Sequence, residues 1–140
     1  MVIDYSAFEK ALTQLEKSIR FLNSEASRND AELREQFRAA VIQAFEYTYE
    51  LAIKMIRRQL EQIVATPAEL REMAFMDLIR TAAEAGLVRE VPPFKVYREM
   101  RNITSHVYDE DKAEEILSIM DSFIQNTYFL LGELKRRNKS

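Results

Sequence analysis

The chain has 140 residues, a formal net charge of −3, 47% hydrophobic side chains and 31% charged ones. Its 2 glycines and 3 prolines are too few for the turns of a sandwich, a barrel or a parallel α/β sheet. The absence of cysteine removes disulfides, cysteine-ligated zinc, iron–sulfur clusters and cysteine nucleophiles, and the slight acidity leaves room only for a local contact with nucleic acid.

The apolar positions Tyr5, Phe8, Leu12, Leu15, Ile19 and Leu22 recur at gaps of three and four, which predicts a bundle helix over about residues 4–26. Asp4 and Ser6 both offer caps at its start. The polar stretch 24–30 reads as a short connection, and Asn29 or Asp30 can cap the next element. A long helix is predicted over about 31–64. Leu33, Phe37, Val41, Ala44, Thr48, Leu51 and Met55 form one face, widened by Phe45, Ala52, Ile56, Leu60 and Ile63. So broad a stripe calls for more than one neighbour, within the bundle or across a dimer.

Thr66, Pro67 and Glu69 form a helix start, and the helix is expected to continue through Ile79 to Ala85. Gly86 stands where a left-handed C-terminal cap belongs. After a connection over 87–91, Pro92 and Pro93 open a fourth helix through Tyr97 and Met100. The fifth begins after Asp109 and carries Ala113, Leu117, Met120, Ile124, Thr127, Leu131 and Leu134. The expected fold is all-α, a single domain over 1–140 built as an antiparallel up-and-down four-helix bundle with an additional short helix. No membrane span or secretory leader is expected, so the chain reads as cytoplasmic.

One segment gathers chemistry. Residues 101–110 hold the only histidine, His106, with a cation, Arg101, and a phenol, Tyr108, between two helical patterns. On a continuous helix, residues five apart diverge by about 140°, so Arg101 and His106 meet only if the helix ends between them or a second subunit completes the site. Asn102 lies four before His106 and can orient the imidazole. Thr104 and Ser105 are weak helix formers that make a helix end plausible. Taken singly, His106 would be a helix-end histidine on a backbone carbonyl, Arg101 an ion-pairing side chain, and Tyr108 a loop anchor. Glu46, Glu50 and Lys54 share one helix face, either as an ion-pair ladder or as a polar row facing the motif. The carboxylates lack a second histidine to complete a metal site, and no cofactor is expected. Lys54, Arg57 and Arg58 read as a solvated face or an RNA contact. Lys135, Arg136, Arg137 and Lys139 complement a helix dipole.

These residues resemble the HEPN superfamily, helical bundles encoded beside minimal nucleotidyltransferases. Arg101, His106 and Tyr108 match its R-x4-H-x-Y signature. Phe45 to Lys54 is similar to its F-E-x-T-(F/Y)-E-L-x-x-K helix, departing at Ile53, where relatives often carry an aromatic residue. Asp77 to Arg80 with Glu84 to Leu87 resembles its third-helix pattern. Arg101-Asn102, Ser105-His106 and Tyr108 to Glu110 resemble its R-N-x-x-S-H-x-Y-(D/N)-E block. The likeness runs over about residues 1–135 and points to the subgroup of nucleotidyltransferase substrate-binding proteins.

The resemblance implies a homodimer paired with a cognate minimal nucleotidyltransferase, in a toxin–antitoxin-like arrangement. It implies either a substrate-binding subunit or a metal-independent endoribonuclease toxin contacting RNA or nucleotide. Arg101 and His106 become the catalytic candidates, supported by Asn102, Ser105 and Glu50, and Tyr108 becomes the acceptor of a transferred nucleotidyl (AMPylation) group. An inactive dimeric helical scaffold is the third reading.

Overall fold

The computed structural model describes residues 2–64, 66 and 68–138. Among them lie eight α-helices and a single 3₁₀ turn: α1 (Ser6–Leu22), α2 (Glu25–Asn29), α3 (Ala31–Glu61), α4 (Ala68–Glu72), α5 (Phe75–Glu84), α6 (Pro92–Asn102), the 3₁₀ turn Thr104–His106, α7 (Glu110–Leu117) and α8 (Met120–Arg137). The molecule is all-helical, as its composition predicts.

Local chemistry sets the boundaries. At the start of α1 the Asp4 carboxylate accepts from the Ser6 N–H at 2.9 Å and from its hydroxyl at 2.7 Å. Asp30 caps α3, its Oδ1 accepting from the N–H groups of Glu32 and Leu33 at 3.1 Å each. The stretch 24–30 is not a plain connection. Ser24 Oγ accepts from the Ser27 N–H and opens the short helix α2. The helix expected to run unbroken to Ala85 is two. Arg57 Nη1 donates to the Leu70 carbonyl at 3.1 Å, and Ala74 is extended, so α4 ends and α5 starts afresh with Phe75 against Tyr49. Pro67 lies outside the described residues. Gly86 has φ +80° and closes α5, as expected. The last helix is also divided. Ser118 turns its hydroxyl onto the Glu115 carbonyl at 2.5 Å, and Ile119 leaves the helical region with φ −101° and ψ 3°.

Pairings between elements show the topology. Thr48 reaches Ala11 while Phe37 meets Phe21, so α1 and α3 run antiparallel. Glu16 with Tyr128, and Glu9 with Lys135, set α8 antiparallel to α1. Arg101 with Glu50, and Thr104 with Glu46, set the end of α6 antiparallel to α3. The bundle is therefore up-down-up-down, with α1, α3 and α8 as its long members and α5 to α7 as the fourth layer. Its centre is aromatic. The Phe45 and Phe123 rings stack edge to face at 4.8 Å, and Tyr97 meets Phe123 at 5.2 Å and Phe94 at 5.1 Å.

The Tyr97 hydroxyl lies 2.5 Å from Ser122 Oγ and accepts from Asn126 Nδ2 at 2.7 Å. That network ties α6 to α8 and fixes where the last turn of α6 points. Thr48 and Thr127 sit in the core with their hydroxyls donating to carbonyls four residues back, whereas Ile63 is exposed rather than part of the apolar face. Among the described residues, no helix is long and apolar enough to cross a membrane.

Candidate functional site

The geometric condition read from the sequence is met: α6 ends at Asn102, between Arg101 and His106. The Ile103 N–H bonds to the Met100 carbonyl, and the His106 N–H to that of Ile103 at 2.9 Å. The chain thus leaves α6 through a tighter turn. The Asp109 N–H bonds to the His106 carbonyl, and the Asp109 carboxylate then caps α7 by accepting from the Lys112 N–H at 3.2 Å.

Arg101 lies in the last turn of α6 and faces α3. Its Nε donates to Glu50 Oε1 at 2.5 Å, and its Nη1 stands 3.7 Å from Glu46 Oε2. The hydrogen bond to Glu50, followed by the charges of both carboxylates, raises the Arg101 pKa above its ordinary value. The same Glu46 Oε2 accepts from Thr104 Oγ1 at 2.5 Å. Of the two readings of the α3 carboxylates, the polar row facing the motif is the one observed. Neither is paired with Lys54 among the described residues.

Glu46, Glu50 and Arg101 line an open groove of about 750 Å³ between α1 and α3, together with Gln14, Gln43 and Tyr47. His106 does not line it. Among the described residues no hydrogen bond or ion pair joins His106 to Arg101 or to Asn102. The orienting role expected of Asn102 is therefore not seen: Asn102 ends α6 with an exposed side chain. Ser105 and His106 are exposed on the 3₁₀ turn. Tyr108 is not a loop anchor, being 93% exposed.

Two residues central to this arrangement are unequally marked in the sequence. Thr104 reads there only as a weak helix former, yet it is buried and bonded across 58 positions of sequence. Glu46 carries a signal, since it lies one turn from Glu50 on the same face. Part of the basic clusters serves the fold: Arg57 caps α4, Arg137 Nη2 donates to the Ala85 carbonyl at 2.6 Å, and Lys135 pairs with Glu9, while Lys54 and Arg58 are exposed. Lys139 lies outside the described residues. Among the described residues no group of three or more His, Asp or Glu side chains could hold a metal ion.

The chain is similar to known proteins over most of its length. A Haemophilus influenzae protein described as "Probable ribonuclease HepT" is 41% identical over 101 residues, covering 72% of this chain and 69% of that one. A solved Haemophilus influenzae structure, described as revealing the fold of a substrate-binding domain of a nucleotidyltransferase, superposes with a TM-score of 0.89. It is 31% identical, and the match covers 94% of this chain and 99% of that one. The model of the family described as "nucleotidyltransferase substrate binding protein like" matches residues 3–136. With the helical bundle, the likeness of sequence and the match of the family model in agreement, the chain belongs to the nucleotidyltransferase substrate-binding protein family.

Proposed function

We propose that this chain is the partner subunit of a minimal nucleotidyltransferase and offers it the turn between α6 and α7, with Tyr108 as the acceptor. The observation that carries the reading is the phenol of Tyr108, 93% exposed beside an exposed His106 and without a hydrogen bond among the described residues. A buried or bonded phenol could not reach a second enzyme's active site. In the transfer, the Tyr108 oxygen attacks the α-phosphorus of ATP, losing its proton to solvent or base. A phosphodiester bond forms, and pyrophosphate leaves with the electron pair of the broken bond. Incubation of the chain with the cognate nucleotidyltransferase, ATP and magnesium is expected to add one adenylyl mass, mapped to Tyr108 and abolished in Tyr108→Phe. No added mass, or mass on another residue, overturns the assignment.

The second reading is a metal-independent endoribonuclease that this modification silences. It is favoured by the helix end between Arg101 and His106, and by the ribonuclease name of the Haemophilus influenzae relative. His106 would take the proton of a ribose 2′-hydroxyl, whose oxygen attacks the adjacent phosphorus and expels the 5′-oxygen, leaving a 2′,3′-cyclic phosphate. Arg101 would stabilise the added charge on phosphorus. A homodimer would bring a second imidazole to act as acid. RNA cleavage in EDTA, lost in His106→Ala, is the expected result; intact RNA with the unmodified chain overturns it. An adenylyl group on Tyr108 adds negative charge and bulk beside the site and excludes RNA phosphate.

A further inference from the structure

We infer that Glu46 is a positioning residue, which acts through Thr104 to fix the 3₁₀ turn carrying His106. This rests on the ribonuclease reading for its catalytic consequence, but on geometry alone for its structural part. One carboxylate oxygen, Glu46 Oε2, faces residues on both sides of the helix end: Arg101 Nη1 at 3.7 Å in α6 and Thr104 Oγ1 at 2.5 Å in the 3₁₀ turn. The Thr104 hydroxyl lies also 2.9 Å from the Arg101 carbonyl. It has one proton, and the shorter contact to a charged acceptor takes it.

Thr104 is 8% exposed, so this hydroxyl has no ready exchange with water. Glu46 itself stands on a rigid part of α3, between the fully buried Phe45 and Thr48. The two carboxylates therefore divide the work. Glu50 holds the guanidinium, while Glu46 pins the backbone two residues before the imidazole. In a 3₁₀ turn each residue advances about 120°, so letting Thr104 go would swing the direction of His106. Ile103 and Val107 pack on the core at either side of the turn, and the Glu46–Thr104 bond is the side-chain tie from α3 to the turn itself.

His106 is the only histidine, so its imidazole gives one unambiguous set of NMR signals. The experiment records these signals and single-turnover RNA cleavage in EDTA at saturating RNA. It compares the full chain with Thr104→Val, Thr104→Ser, Glu46→Gln and the Glu46→Gln/Thr104→Val double variant, each checked for unchanged helical circular dichroism. Thr104→Val is expected to shift or broaden the imidazole signals and slow cleavage by roughly 10-fold or more with RNA affinity nearly unchanged. Thr104→Ser restores both, and the double variant is no slower than Thr104→Val alone. Imidazole signals in Thr104→Val that match the parent overturn the inference, as does a double variant showing the product of the two single losses. If the parent cleaves no RNA, the ribonuclease reading falls, and the imidazole response alone still decides the positioning role.

Discussion

Arg101 is a cation already in use. With Glu50 bonded to its Nε and Glu46 beside its Nη1, the cluster carries one net negative charge before any phosphate arrives. An anion approaching this guanidinium meets an Nε already bonded to Glu50 and two nearby carboxylates, which weakens its attraction for phosphate relative to a free arginine. The neighbouring Tyr49 shows the opposite case, an ionisable group kept neutral. Burial, the largest influence, pushes its phenol up to about 12, above the ordinary 10.0. Folding thus favours the protonated phenol. The stability it confers is fully present below about pH 10 and is lost as pH rises towards about 12. Tyr49→Phe is expected to lose less stability than the parent between about pH 10 and 12 in urea unfolding, with equal losses counting against it. Part of the alkaline loss will persist, because burial and its bond to Glu16 also raise Tyr128 to about 12.

Among the elements, the long helices were legible because periodicity is a local property that burial enforces. Phe8, Leu12 and Leu15 in α1, and Val41, Phe45 and Ile56 in α3, lie in the core as their spacing requires. The breaks at 73–74 and 118–119 were not legible. One depends on Arg57 reaching a carbonyl 13 positions away, and the other on a serine choosing the backbone over solvent. Glycine gives a direct test. Gly86 has φ +80°, and a Cβ there would stand 3.0 Å from Arg137 Nη2, the group that caps α5. Gly86→Ala is expected to cost about 1–3 kcal/mol, lowering Tm by roughly 3–10 °C. A Cβ at Gly132, inside α8, meets nothing within 4 Å. Gly132→Ala is expected to gain up to about 1 kcal/mol, read from the same thermal melts. The reverse order of the two variants would refute this account of both positions.

At the scale of the molecule, Asn138 joins the described ends. Its Oδ1 accepts from the Ile3 N–H at 3.0 Å across 135 positions, and its Nδ2 donates to Gln59 Oε1 at 2.9 Å and to the Leu134 carbonyl at 2.8 Å. It is buried, so Asn138→Ala strands a donor and an acceptor away from water. We expect a loss of about 1–3 kcal/mol, or roughly 3–10 °C in Tm, measured by thermal unfolding. An unchanged melt would mean that water serves these groups equally well. The sequence alone determined an all-helical bundle, its main punctuation at Asp30, Gly86, Pro92 and Asp109, and the segment that gathers Arg101, His106 and Tyr108. Apolar spacing and capping depend on near neighbours, and both are written within a few residues. Only the tertiary structure decided that Glu46 and Glu50 face Arg101 and Thr104, that Asn102 leaves His106 alone, and that Tyr108 stands in solvent. Those outcomes depend on where α6 ends against α3, and packing between residues more than fifty positions apart sets that.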